Sequence, residues 1–421
     1  MTKKSDAPAI RFKGFSDAWE QRKVGDLLIE RNQQAPMSDE YPLMAFIANE
    51  GVAPKGERYD RSALVTDTVN KLYKKTEKGD FIYSSNNLET GSIGLNKYGK
   101  ACISPVYSIF EPTGIADSDF LGRRLVRKDF INAMVKWRQG VIYGQWRIHE
   151  SDFLKIEIPV PSVEEQRKIG AYLDQLDNLI TLHQRKFEKL TNVKKSMLEK
   201  MFPQNGSSYP EIRFKGFTDP WEQRKFDEVF DCTVPNNTLS RAELSYDEGT
   251  VLNVHYGDVL IKYGSVLDVQ KDDIPRIPHR CREDFNGALL QDGDVIIADT
   301  AEDETTGKAC EIGNLQGSAI VSGLHTMVCR PRNRMALGYL GYYLNSNAYH
   351  HQLLPLMQGI KVLSLSRSNI QKTSVSYPIA VKEQQLIAYY FSQLDNLITL
   401  HQRELEKLQN IKKSMLEKMF V

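Results

Sequence analysis

The chain has 421 residues, 41% of them hydrophobic and 26% charged, with a formal net charge of +1. That length suggests two or three domains with cores of their own, and that composition belongs to a globular protein rather than a disordered or fibrous one. The balanced charge excludes a globally basic nucleic-acid binder but not a local basic face.

The opening, MTKKSDAPAI, has no apolar signal region, and no run of about 18 apolar residues occurs anywhere. The five cysteines, Cys102, Cys232, Cys281, Cys310 and Cys329, form no CxxC and fit a reducing compartment, with most thiols serving as small buried groups. A cytoplasmic, membrane-free protein is expected.

In chain order, the first element is a short aromatic and basic entry holding Phe12, Phe15 and Trp19. A long middle follows, rich in β-branched and aromatic residues and punctuated by Gly, Asn and Pro, which reads as mixed α/β with short strands. Its last strand lies near Ile156–Pro159. Ser162 followed by Glu165 is a capping box, so a helix should begin near 163. Its seam runs Ile169, Leu173, Leu176, Ile180, His183, Phe187, Leu190, Lys194, Met197, Met201, in steps of four and three. The stretch Pro203–Pro210 is polar and breaker-rich, a linker.

Then the same frame is written again. RFKGF stands at 11–15 and 213–217, WEQRK at 19–23 and 221–225, QLDNLITLHQR at 175–185 and 393–403, and KKSMLEKMF at 194–202 and 412–420. Phe214, Phe217 and Trp221 repeat the entry, and a second seam runs from Ile387 to Met419. Two long copies are too few for a solenoid. One module has been duplicated, its frame kept and its contents allowed to diverge. The middles still match in places: Gly79-Asp80-Phe81 with Gly293-Asp294-Val295, and Gly99-Lys100-Ala101-Cys102 with Gly307-Lys308-Ala309-Cys310.

Each seam carries a His and a Lys. Such residues specify register and orientation at a cost in stability, or else sit at a solvated edge. At about 39 residues each helix spans roughly 58 Å. Two such rods paired antiparallel would set the two middles at opposite ends, related by a pseudo-two-fold.

Motifs of catalysis are missing. No GxxxxGK[ST] and no helix-opening GxGxxG occurs, and Gly91-Ser92-Ile93-Gly94 has the wrong spacing. No zinc spacing exists around His279 and Cys281 or His350-His351. The acidic run Asp299, Glu302, Asp303, Glu304 reads as a solvated loop tip. No Asn-Pro-Pro-Tyr-like base-binding motif is present.

What remains is chemistry for reading a DNA groove, where Arg, Lys, Asn, Gln, Ser and Thr meet base edges and phosphates. In the first middle the candidates are Asn86 and Asn87, Lys97 and Lys100, Arg138 and Gln139, and Tyr143, Gln145 and Arg147. In the second they are Lys308, Gln358, Lys361, Ser366 and Arg367. Gly140 and Gly359, each preceded by Gln, are expected to form a common turn. Taken singly, each cluster also fits an ordinary surface loop or a piece of core. Their recurrence at one place favours DNA.

With the repeat, the lead-in Pro159-Val160-Pro161 to Glu165-Gln166 and the Leu-Asp-Asn-Leu-Ile stretch on the page, the chain resembles the specificity subunit of type I restriction-modification enzymes. The second lead-in, Tyr377-Pro378 to Glu383-Gln384, keeps one Pro. The resemblance covers essentially the whole chain. It implies an α+β architecture of two mixed α/β target-recognition domains separated by two long antiparallel coiled-coil helices, a pseudo-two-fold internal repeat. The domains would be 1–160 and 211–378, the helical regions 161–203 and 379–421, and the linker 204–210.

It further implies a non-catalytic subunit whose domains each read half of a bipartite, asymmetric double-stranded DNA site. The helices would act as spacer and as docking site for two methylation subunits, joined by restriction subunits in the full complex. S-adenosylmethionine, ATP and Mg2+ would be bound by those partners and not by this chain. Beside the seams, Tyr172, Leu179, Leu182 and Val193, and Tyr390, Leu397, Leu400 and Ile411, widen the apolar face. They are candidates for that docking, or else are buried against the recognition domains. The rival readings are a protein-binding scaffold, a stand-alone DNA-binding regulator, and a recognition domain fused to an enzyme, the last disfavoured by the missing motifs.

Overall fold

The computed structural model describes residues 7–54, 71–140 and 146–421. It divides into two units, one made of Met1–His183 with Glu404–Val421 and the other of Gln184–Arg403. The division cuts both long helices, Val163–Lys200 and Val381–Lys418, each of 38 residues and so about 57 Å long.

Each module is first closed on itself. The repeated WEQRK is a strand: Glu20–Lys23 pairs antiparallel with Glu157–Val160, and Glu222–Lys225 with Ser374–Tyr377. The chain therefore enters each module beside the strand by which it leaves for the long helix. In the first unit a four-stranded antiparallel sheet follows, ordered Leu28–Glu30, Ser108–Pro112, Phe81–Tyr83, Ile93–Leu95. In the second the corresponding sheet has five strands, ordered Phe230–Asp231, Thr326–Pro331, Val295–Ala298, Ala309–Gly313, Val266–Asp268, with the last pair parallel. Phe81–Tyr83 is fully buried and Val295–Ala298 likewise, which is why both read as unbroken apolar runs.

The repeated glycine turns before these central strands correspond as the sequence suggests, but the Gly-Lys-Ala-Cys match does not. Ala309 stands opposite Ile297 on the central strand, where the first unit has Ile93 opposite Tyr83, so Gly307 corresponds to Gly91. Ala101–Ile103 instead pairs with Tyr73–Thr76 in a separate sheet. Four identical letters had been placed one strand apart by divergent loop lengths.

The apolar ends of the repeated frame explain the units. Met419 and Phe420, from the end of the second helix, are buried in the core of the first unit with Trp19, Phe120, Ile169 and Leu173. The Phe420 ring lies 5.4 Å from that of Phe120 and 6.5 Å from that of Trp19. Met201 and Phe202, from the end of the first helix, do the same in the second unit, Phe202 lying 5.8 Å from Phe391 and 6.2 Å from Trp221. Each module thus receives its last core residues from the other module's helix.

Polar contacts repeat with the same fidelity. Arg11 grips the buried Glu165 with two bonds of 2.8 and 2.7 Å, and Arg213 grips Glu383 with two of 2.7 and 2.9 Å. The expected capping box is therefore only half formed: the Glu165 amide donates to Ser162 Oγ at 3.4 Å, while its carboxylate is taken by Arg11. The neighbouring amides staple helix to domain. Gln166 Nε2 donates to the Pro161 carbonyl and its Oε1 accepts from Asp117 N, and Gln384 does the same with Pro378 and Ala336. The Ile10 amide donates to the Lys418 carbonyl and that of Ile212 to the Lys200 carbonyl, closing each helix end on an entry segment.

In the first unit Lys412 binds Asp177 at 2.5 Å; in the second Lys194 binds Asp395 at the same distance. Together with the entry contacts, these pairs fix the two helices as antiparallel within each unit, because Glu165 shares an entry segment with Lys418 and Glu383 shares one with Lys200. The seam lysines are register pins matched to aspartates of the opposite helix. Their half-exposed setting makes the gain small, and the selectivity is the larger effect.

Four of the five cysteines are buried, and Cys281 is exposed. Among the described residues no helix is long and apolar enough to cross a membrane, and no three His, Cys, Asp or Glu are placed to hold a metal ion.

Phe420→Ala should cost about 3–5 kcal/mol, the usual loss for a buried aromatic ring. Hydrogen exchange should lose protection in the first unit's sheet while the second unit's sheet stays protected. Equal loss in both would contradict this assignment of the helix ends.

Candidate nucleic-acid interface

At one end of each central sheet the structure builds the same small hairpin. In the second unit the Gln358 and Ser364 main chains exchange two hydrogen bonds of 3.0 and 2.8 Å, and Ser364 also stands opposite Thr300 at the end of the central strand. In the first unit Gln139 stands opposite Arg147 and Gly140 opposite Trp146. The hairpins are anchored alike: the Ile148 amide donates to Ser85 Oγ at 3.0 Å, and the Leu365 amide donates to the Asp299 carbonyl at 2.8 Å. Both are followed at once by a short helix, Glu150–Phe153 or Arg367–Ile370.

The two glutamines thus occupy equivalent places. The glycines after them do not form a common turn: Gly140 is a strand residue, while Gly359 has φ of +126° and makes the turn itself. A Cβ at Gly359 would lie 1.9 Å from the Val362 carbonyl oxygen, so only glycine fits.

Of the candidates near these hairpins, Asn86 is exposed and its Oδ1 accepts from the Trp146 amide at 2.6 Å, holding the ribbon in place. Asn87 is exposed in the adjoining turn, Gln139 and Arg147 are exposed, and Arg147 is 57% open to solvent. Gln358, Lys361, Ser366 and Arg367 are exposed, with Ser366 Oγ capping its helix by accepting from Asn369 N. Tyr143 and Gln145 lie outside the described residues.

Other candidates are turned to structural tasks. Lys97 binds Asp174 of the long helix at 3.1 Å. Lys100 pairs with Glu40, a bond that holds the Glu40 carboxyl below its usual range. Arg138 is nearly covered and binds Glu89 at 3.0 Å. Lys308 donates to the Leu260 carbonyl at 2.8 Å, and burial lowers the pKa of its ammonium. Arg138 and Lys308 are drawn into the fold by these contacts, whereas Lys97 and Lys100 make surface ion pairs and stay about half exposed.

Residues that sequence reasoning left out also gather here. Trp137 and Trp146 are 41% and 49% exposed, whereas the other two tryptophans, Trp19 and Trp221, are buried. Ile360 is fully exposed and Val362 half exposed at the second hairpin's tip. Thr300 Oγ1 lies 3.4 Å from His325 Nδ1, beside Ser364. The signal available was the clustering of two of four tryptophans around Arg138–Arg147.

The eight apolar positions beside the seams divide. Tyr172 packs edge-on against Phe12 at 5.8 Å and Tyr390 against Phe214 at 6.3 Å, and Val193 and Ile411 pack onto the cores. Leu179, Leu182, Leu397 and Leu400 remain 43–52% exposed, at equivalent places in the two repeats.

Each of the duplicated units thus carries an exposed polar ribbon, with an aromatic residue, Trp146, on it in the first and aliphatic residues, Ile360 and Val362, in the second. A family model described as the type I restriction modification DNA specificity domain matches residues 16–192 and again 218–410. The chain is 22% identical over 417 residues to the MjaVIII specificity subunit of a type I restriction enzyme from Methanocaldococcus jannaschii, covering 94% of this chain and 91% of that one. The crystal structure of a type I restriction-modification S subunit from M. genitalium shares the fold, with a TM-score of 0.56 at 14% identity over 99% of both chains. The chain belongs to the type I restriction-modification DNA specificity family.

Arg147→Ala and Arg367→Ala should each reduce the salt dependence of DNA binding by about one unit of log–log slope, as the loss of one phosphate contact does. Lys308→Ala should leave that slope unchanged. A titration series in rising salt distinguishes these outcomes, and an altered slope for Lys308→Ala would contradict its inward placement.

Proposed function

We propose that the two units read the two halves of one split, asymmetric DNA sequence, each through the face that carries its hairpin. The observation that supports this is recurrence. Gln139 opposite Arg147 and Gln358 opposite Ser364 stand at one place in two sheets whose other loops have diverged. A two-stranded ribbon fits the major groove, where amide and guanidinium groups distinguish base pairs. Within this reading the recognition domains are 1–160 and 211–378, the helical regions 161–203 and 379–421, and 204–210 is their linker. The contact set is Asn86, Asn87, Gln139 and Arg147 in the first domain and Gln358, Lys361, Ser366 and Arg367 in the second.

The long helices act as spacer. Half-sites read from one face of B-DNA lie about one helical turn, ~34–36 Å, apart, and paired rods of fixed register hold such a distance. Two methylation subunits dock on the helices, one over Leu179 and Leu182 and one over Leu397 and Leu400. These four leucines stand at equivalent places in the two repeats and remain 43–52% exposed. Restriction subunits join through that assembly, and the S-adenosylmethionine, ATP and Mg2+ chemistry resides on the partners.

Replacing the first domain by that of another family member, with the helix ends retained, should change one half of the methylated sequence and leave the other half as it was. Methylome sequencing of the host reads the result, and a change in both halves would refute independent reading. Leu182→Glu with Leu400→Glu should abolish copurification of the methylation subunits, while leaving the melting temperature within a few degrees because the sites are exposed. Retention of both partners would place the docking surface elsewhere.

A further inference from the structure

The second unit's hairpin is built around an apolar residue that packs on nothing. Gly359 turns the chain at φ of +126°, in a geometry no other residue could adopt, and the two hydrogen bonds between Gln358 and Ser364 lock the loop shut. The result is a short, rigid loop that carries Ile360 fully into solvent, with Val362, 51% exposed, close behind it. Isolated exposed apolar side chains are ordinary. A fully exposed isoleucine held by a locked glycine turn, flanked by Gln358 and Lys361, is a different matter. The first unit repeats the pattern in other letters, with Trp146 half exposed on the equivalent ribbon and tethered through its amide to Asn86.

The surroundings narrow what the tip can meet. Beyond the central strand, Thr300–Ala301 pairs with Leu363–Ser364 of the hairpin in a small sheet of its own. The exposed Gln358 and Lys361 beside the tip carry an amide and an ammonium, groups that meet base edges and phosphates. In the major groove the apolar feature on offer is the C5-methyl group of thymine.

We propose that Ile360 contacts a thymine methyl group in the half-site read by residues 211–378, and so supplies specificity for T·A at that position. This rests on the DNA-reading role argued above. The amide of Gln358 and the ammonium of Lys361 flank the contact and fix the register of the ribbon, and Ile360 distinguishes the methyl from the bare C5–H of cytosine.

The test uses the chain assembled with its methylation subunits and duplexes carrying its methylome-defined site, with each thymine of the second half-site replaced in turn by deoxyuridine. At one position the unaltered complex should lose about fourfold in affinity, the worth of one buried methyl group. The Ile360→Ser complex should lose a similar factor on the thymine duplex and nothing further on the deoxyuridine duplex. Ile360→Leu should keep the discrimination, and because the residue is fully exposed, neither variant should shift the melting temperature.

Independent, additive losses at every thymine would overturn the contact. So would a second half-site without thymine, or an unchanged affinity for Ile360→Ser. Raised 2-aminopurine fluorescence next to the site, lost in Ile360→Ser, would mean that the tip wedges between base pairs instead, and it too would overturn the proposal. If the unaltered complex failed to prefer its own site over random duplex, the DNA-reading role would fall along with the contact.

Discussion

Neither half of this protein can finish its own core. The last turn of each long helix ends in Met-Phe, and that pair is buried among the aromatic residues of the other module: Phe420 beside Trp19 and Phe120, Phe202 beside Trp221 and Phe391. A buried aromatic ring contributes on the order of 3 kcal/mol or more, a large share of a domain's net stability. The modules are therefore bound to one another by their cores and not only by the linker. This gives a physical reason for the frame to be written twice in the same letters. An end that must fit the other module's socket, and a socket that must accept the other module's end, can each change only if both do. Residues that point only into their own module carry no such constraint, and there the two sequences have drifted apart.

The Arg–Glu clamps extend the same logic to charge. Glu165 and Glu383 are almost completely buried, and a buried carboxylate without a partner is costly. Arg11 and Arg213, from the repeated RFKGF, satisfy them with paired bonds, and the adjacent Gln166 and Gln384 fasten the same helical turn to the domain. The entry segment, the helix start and the far helix end thus meet in one place in each unit. The seam lysines act more weakly, at half-exposed sites, by making one alignment of the two helices better than its neighbours.

Much of this was legible because it is periodic or repeated. The helices announce themselves through their seams and the modules through their identical ends. The strand before the first helix shows as Ile156–Pro159. What was not legible is long-range. Nothing in Ser162 and Glu165 says that the carboxylate will prefer Arg11 to the amide at the cap. Nothing in KKSMLEKMF says that its last two residues belong to another domain's core, since a heptad pattern reports a face and not a partner. The Gly-Lys-Ala-Cys coincidence misled because strand register follows from backbone pairing, and two loops of different length can bring the same four letters to different strands. At the interface, the repeated Gln-Gly marked equivalent places in the two sheets but not the different backbone geometry at Gly140 and Gly359. Lys97, Lys100, Arg138 and Lys308 each hold an internal partner, Arg138 and Lys308 at partly buried places and Lys97 and Lys100 at the surface.

That commitment bears on how recognition is divided between affinity and specificity. Non-specific attraction to DNA scales with the number of free cations that replace counterions along the backbone. A chain with a net charge of +1, several of whose candidate cations already pair with carboxylates, has little of that attraction to spend. Its exposed ribbons instead present amides, hydroxyls, one or two guanidinium groups and apolar tips, the groups that tell one base pair from another.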